Sequence, residues 1–150
     1  MKRALLILSI LTILVLGCTP PMVHYHGLKP VYPYGKQDLA QHVDTIQPEF
    51  KWEPAVEDGI TYDFAIWKAP EKRVAGENSW GELVYYRLNL RDTIHRIETP
   101  LEYNTYYHWS VRKRRDNNVS SWSVFDSTLV SMMGTFYLKN SAFRFKTPKK

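Results

Sequence analysis

Residues 106–118, YYHWSVRKRRDNN, decide how the chain is read. Tyr107, Trp109 and Val111 recur at every second position, with His108, Ser110 and Arg112 between them. A period of two describes a strand with one apolar face, not a helix. The run closes on Asp116, Asn117 and Asn118, side chains that favour a turn, so the strand is one arm of a hairpin and the cations Arg112, Lys113, Arg114 and Arg115 lie near its tip. Working outward, the same device returns. FKW sets Phe50 and Trp52 on one face, bracketed by Pro48 and Pro54. YDFAIW sets Tyr62, Phe64 and Ile66 against Asp63, Ala65 and Trp67, and LVYYRLNL groups Val84, Tyr86, Leu88 and Leu90. FRFK sets Phe143 and Phe145 against Arg144 and Lys146. Short alternating strands with no helical stripe between them predict an all-β protein, a two-sheet antiparallel sandwich.

Composition agrees with that class. The chain has 150 residues, 14% of them aromatic, with 10 Tyr and 5 Trp, residue types that favour strands. One domain is expected at this length. The formal charge is +5, of which Lys2 and Arg3 contribute two, and an excess this small does not point to nucleic acid as a partner.

The segment LEYNTYYHWSVRKRRDNNVSSWS resembles a hairpin of fibronectin type III domains, in which a Leu, a Thr and a Tyr spaced as Leu101, Thr105 and Tyr107 precede an alternating strand. The resemblance implies an immunoglobulin-like sandwich over roughly residues 43–148. It also implies a tyrosine corner, with the Tyr107 hydroxyl turned back onto the chain just upstream. By the same resemblance Trp52 matches the core tryptophan of the second strand and FRFKTP the last strand.

The N-terminus, MKRALLILSILTILVLGC, places two cations before an aliphatic stretch from Ala4 to Leu16. That pattern is an export signal, too short to span a bilayer comfortably. Val15, Leu16, Gly17 and Cys18 resemble the lipobox of bacterial lipoproteins, with Leu16 where Ala or Ser is more usual. The resemblance implies diacylglycerol on the Cys18 sulfur, cleavage before it, and Cys18 as the first mature residue. Thr19 in place of aspartate implies, by the same family, the outer membrane. Cys18 is the one cysteine in the chain, so no internal disulfide can form and lipidation accounts for the thiol. The expected organisation is a signal peptide over 1–17, a lipidated cysteine and proline-rich flexible tether over 18–41, and the sandwich over 42–150. Within the tether His24 and His26 form an H-x-H pair, too few ligands for a metal site.

Binding residues are expected on long connections. Met132 and Met133 lie in the apolar stretch before the last strand, where they suit either an adaptable contact or a cap over the core. Trp67 and Trp80 suit stacking on a sugar ring, and the cations from Arg112 to Arg115 suit lipid phosphates or an acidic glycan. Signatures of catalysis are absent: no G-x-S-x-G, no phosphate-binding glycine loop and no H-E-x-x-H. Glu49, Glu53, Glu57 and Asp58 stand at strand ends or turns, where solvated acids are commonplace. The expectation is a non-enzymatic lipoprotein of the bacterial cell envelope without a cofactor, anchored in a membrane and binding another envelope protein. A surface-glycan-binding module and, more remotely, an envelope hydrolase are the alternatives. Replacing Cys18 by Ser should abolish incorporation of labelled fatty acid and move the chain from the membrane fraction to the soluble one, read by metabolic labelling and fractionation.

Overall fold

The computed structural model describes residues 22–34, 40–70, 80–131 and 134–150. Its elements, in chain order, are β1 (Met22–His26), β2 (Pro30–Tyr32), β3 (Gln41–His42), β4 (Glu49–Trp52), β5 (Thr61–Lys68), β6 (Glu82–Leu90), β7 (Ile94–Arg96), β8 (Tyr106–Arg115), β9 (Asn118–Val119), β10 (Val124–Ser131), β11 (Gly134–Ser141) and β12 (Phe143–Lys146). Among the described residues there is no helix. One sheet runs β3-β12-β8-β5-β6, with β9 paired to β8; a second runs β2-β4-β7, and a third β1-β10-β11. The first two face each other as a sandwich, and only the β3-β12 pair in the large sheet is parallel.

The alternation of the sequence explains the core. Phe50 and Trp52 of β4 are buried against Phe64 and Ile66 of β5, Trp109 and Val111 of β8, and Phe143 and Phe145 of β12. The Phe50 ring lies 4.8 Å from Phe64, 5.2 Å from Trp109 and 5.3 Å from Phe145. Tilted and edge-to-face pairs at this spacing stabilise beyond the area they bury. At the start of β8, the Tyr107 hydroxyl accepts a 3.0 Å hydrogen bond from the Glu102 amide, the geometry of a tyrosine corner. Leu101 is buried beside it, and Thr105 is tied by its amide to Thr147 Oγ1 at 2.9 Å.

Three expectations need correction. The proline-rich stretch assigned to a tether over 18–41 is not loose chain where it is described. Residues 22–26 and 30–32 are strands, Leu28 and Pro33 are buried, and Trp109 Nε1 donates to the Pro33 carbonyl at 2.7 Å. Proline belongs there because β2 is an edge strand, where a missing N–H breaks no ladder.

Strand β6 does not keep Val84, Tyr86, Leu88 and Leu90 on one face. Register shifts against β5 put extra residues into β6 near Val84 and at Leu88 and Asn89, where Asn89 takes φ +56°. Tyr85, opposite Ile66, is therefore the buried residue, and Leu90 packs against the core while Val84, Tyr86 and Leu88 stay exposed.

His108 and Ser110 alternate with the core residues of β8, a pattern that would turn them to water, yet both are buried. Chain crosses their face: Ser110 Oγ donates to the Ser123 carbonyl at 2.6 Å, and His108 Nδ1 bonds the Trp80 carbonyl at 2.9 Å.

A chain lacking residues 22–34 loses β1, β2 and the partner of Trp109. It should show a markedly lower urea midpoint or no cooperative transition, measured by near-UV circular dichroism, whereas deletion of a free tether would leave the midpoint unchanged.

Candidate functional site

The outer face of the large sheet carries the densest cluster of functional side chains. Register places Asp63 opposite Arg112, Ala65 between Ser110 and Tyr86, and Trp67 opposite His108. Two residues from outside the strands complete the surface. Trp80 precedes β6, and Trp122 lies on the crossing segment after β9. The approach of Trp80 depends on Gly81, at φ +102°, where an added Cβ would come within 1.8 Å of the Lys68 carbonyl oxygen. The Trp67 ring stands 4.8 Å from Trp80 and 5.3 Å from Trp122, and Tyr86 stands 6.1 Å from Trp122.

Asp63 organises the cations. Its side chain is 0% exposed, a position for a carboxylate that only paired, hydrogen-bonded charges make tolerable. Arg112 Nε donates to it at 3.0 Å, and Arg114 donates through Nε and Nη2 at 2.8 Å each, the fork geometry that suits guanidinium to carboxylate. Burial pushes the Asp63 carboxyl upward, but the hydrogen bonds from Arg114 and Arg112, with the Asn89 amide, outweigh it and hold the group below its ordinary value. Held this way, Arg112 donates Nη2 to the Tyr86 hydroxyl at 3.0 Å and lays its guanidinium 4.5 Å from the Trp122 ring centroid. The side chain is fixed in one pose before any partner arrives, which reduces the ordering cost of binding.

The basic run is thus divided. Arg112 and Arg114 are bound to Asp63, Lys113 reaches Glu57 at 2.5 Å, and Arg115 is exposed at the strand end. Four cations do not converge at a hairpin tip, because alternate residues of a strand face opposite sides. Trp67, Trp80 and Arg112 do meet on one surface. Its other members, Tyr86, Trp122 and Asp63, were not singled out from the sequence. An acid inside the apolar run of YDFAIW is the signal that would have found Asp63, since such a group needs a cation nearby; Trp122 has no periodic neighbours to announce it. Cys18, Met132 and Met133 lie outside the described residues.

The face extends across β12, where the Arg144 guanidinium and Lys146 Nζ lie 4.4 and 4.6 Å from the Tyr106 ring centroid. The tryptophans do not form a flat sugar platform. Trp67 meets Trp80 at 77° and Trp122 at 89°, so the rings stand edge to face.

A second polar cluster joins the two sheets of the sandwich. The Tyr85 hydroxyl donates to Glu98, bonds His95 Nε2 at 2.8 Å, and Arg87 Nη2 reaches Glu98 at 3.1 Å. Burial, then the Glu98 carboxylate, raises the Tyr85 hydroxyl, and burial lowers His95. The Tyr85 hydroxyl, His95 Nε2, Arg87 Nη2 and one Glu98 carboxylate oxygen bond to one another, as expected for a structural rivet between β6 and the segment of β7. Glu49, Glu53 and Glu57 each face a lysine, at 2.9, 3.6 and 2.5 Å respectively. Among the described residues, no group of three or more His, Cys, Asp or Glu is arranged to hold a metal ion, and His26 Nε2 contacts Asp126 at 2.8 Å.

No protein-family model matches the chain, and neither a curated protein nor a solved structure is significantly similar to it.

Asp63→Asn would leave two arginines over a neutral, poorly matched partner. A loss of about 3–5 kcal/mol, the usual result of removing one partner of a buried ion pair, is expected in urea denaturation. The pH dependence has a definite sign. The folded value of Asp63 lies below its ordinary 3.8, so its contribution is complete above that ordinary value and is lost as pH falls through the depressed one. Acid titration of stability should show this loss in the native chain and not in Asp63→Asn.

Proposed function

We propose that this chain is a lipoprotein of the bacterial cell envelope, lipidated at Cys18, whose β-sandwich is a non-catalytic protein-binding module. The observation that carries the binding role is the outer face of the large sheet. Trp67, Trp80, Trp122, Tyr86 and Arg112 combine the three residue types that dominate protein interfaces energetically, and they cluster on one surface. Exposed apolar side chains adjoin them on β6: Leu83 is 52% exposed, Val84 38%, Tyr86 37% and Leu88 46%.

The sandwich is read as fibronectin type III-like. In support, β2, β4 and β7 form one sheet while β12, β8, β5 and β6 form the other, the partition that an immunoglobulin-like Greek key produces. The hairpin β10-β11, inserted before the last strand, is this chain's addition. Binding is assigned to side chains of the face and not to strand addition at the β6 edge, because that edge carries two irregularities of the kind that discourage edge pairing.

The lipobox resemblance supports the anchor, and Thr19 after the cysteine supports the outer membrane. Confinement to a membrane raises the effective concentration of the module toward partners there, so a modest intrinsic affinity suffices. The edge-to-face tryptophans make a glycan-stacking role the weaker reading.

The test is site-specific photo-cross-linking in the native envelope. A photoreactive aromatic amino acid replacing Tyr86 should yield a discrete protein adduct, identified by mass spectrometry. The same amino acid at Val56, which is 98% exposed and away from the face, should yield none. Adducts to polysaccharide alone from position 86 would replace the protein-binding reading with the carbohydrate-binding one.

A further inference from the structure

We propose that Arg112 and the Tyr86 hydroxyl form a seat for a single carboxylate, so that the partner of the outer face is a protein segment carrying an Asp or Glu beside an apolar side chain. The inference rests on the protein-binding reading above and names the chemistry that the same face selects.

The seat follows from the balance of donors and acceptors. Each oxygen of Asp63 already accepts twice. Oδ2 takes Arg112 Nε at 3.0 Å and Arg114 Nη2 at 2.8 Å; Oδ1 takes Arg114 Nε at 2.8 Å and, more weakly, the Asn89 amide at 3.4 Å. An ionised carboxylate has about four lone-pair sites, so Asp63 has no capacity left. Arg112 also donates Nη2 to the Tyr86 hydroxyl, which acts there as the acceptor. Among the described residues nothing accepts from Arg112 Nη1 or from the Tyr86 O–H. Two donors thus stand together without an acceptor, on a half-buried arginine and an exposed tyrosine.

Charge points the same way. One carboxylate facing two guanidinium groups leaves one positive charge uncompensated, and nearby acids face other cations: Glu57 lies against Lys113, Glu98 against Arg87 and Glu102 against Lys68. The Arg112 guanidinium, packed 4.5 Å from the Trp122 ring centroid, has already lost much of its water. A partner's carboxylate therefore displaces little hydration there and gains a charge-assisted bond. A single excess charge matches one carboxylate, whereas a phosphate monoester brings about two negative charges near neutral pH and would be only partly compensated.

The surroundings define the rest of the partner. Trp122 touches both the Arg112 guanidinium and, at 5.3 Å, the Trp67 ring, so one indole links the charged seat to the tryptophan cluster. Leu83 stands opposite Trp67 and Tyr86 opposite Ala65, and Leu83, Val84 and Leu88 are exposed along β6. An apolar side chain two residues from the acid in an extended segment, about 7 Å away, reaches this rim. An aromatic wall, an apolar rim and one fixed cation suit a protein segment better than a polysaccharide, whose hydroxyls would lose water against Leu83, Val84 and Leu88 without finding a hydrogen-bond partner.

The experiment uses the full chain in its native envelope, with a photoreactive amino acid replacing Leu83, which leaves both donors intact. Mass spectrometry should place the adduct in a protein segment that contains an Asp or Glu. Arg112→Gln should lower the adduct yield about fivefold or more, the loss expected for a charge-assisted bond. Changing the partner's acid to its amide should lower the yield alike, and the two changes together no further than either alone, because both remove one interaction. Tyr86→Phe keeps the ring and leaves both guanidinium groups on Asp63, so it serves if near-UV circular dichroism shows that Arg112→Gln does not fold; it should cost about twofold or more, as one neutral hydrogen bond does. If a protein adduct persists at undiminished yield in the folded variants, the carboxylate seat is overturned and the protein-binding module stands. If position 83 captures only polysaccharide or lipid, or nothing, the protein-binding reading fails and the seat falls with it.

Discussion

Everything in the sandwich is arranged around the contact of the Phe50 ring with three aromatic rings of the opposite sheet. Phe64, Trp109 and Phe145 belong to three adjacent strands, β5, β8 and β12, so one side chain from β4 registers the small sheet against the large one. A ring cannot slide between such neighbours without opening voids, and close-packed interiors resist that. Trp109 extends the constraint to the N-terminal segment through its indole N–H and the Pro33 carbonyl. The stretch that precedes the sandwich is thereby made part of it.

With the inner face closed by aromatics, the outer face of the large sheet becomes the place where polar chemistry is organised. Asp63 is buried there among the side chains of Arg112 and Arg114, which donate to it, with the Asn89 amide 3.4 Å away. Burying a carboxylate would destabilise the fold if two guanidinium groups did not meet it. Those same groups then present Arg112 in a fixed pose among tryptophan and tyrosine rings. Stability and the candidate binding surface therefore share their residues. Substitutions on this face will disturb both unless they are confined to exposed side chains outside the hydrogen-bonded cluster, such as Leu83.

Anchor and binding face form a connected arrangement in the proposed reading. Shortening the tether from a long spacer to a few residues changes what the lipid does, since a long spacer allows the domain to reorient and a short one restricts it.

Much of this was written in local pattern. Period-two alternation marked β4, β5, β8 and β12 and the residues they turn toward the core between the sheets, because side-chain direction in a strand depends only on parity. The spacing of Leu101, Thr105 and Tyr107 marked the corner whose bond the Tyr107 hydroxyl makes. Local pattern failed where distant chain intervenes. The extra residues in β6 shift parity and are visible only against β5; Ser110 and His108 are buried by segments 13 and 28 residues away in sequence. The prolines before residue 34 read as spacer because their strands pair with β4 and β10, far along the chain. By itself the sequence determined the all-β class, the core residues and Arg112, Trp67 and Trp80 as candidates for contact. The tertiary structure alone decided that these three meet over a buried Asp63, because only the packing of strands and crossing segments sets which polar groups lose water and must find each other.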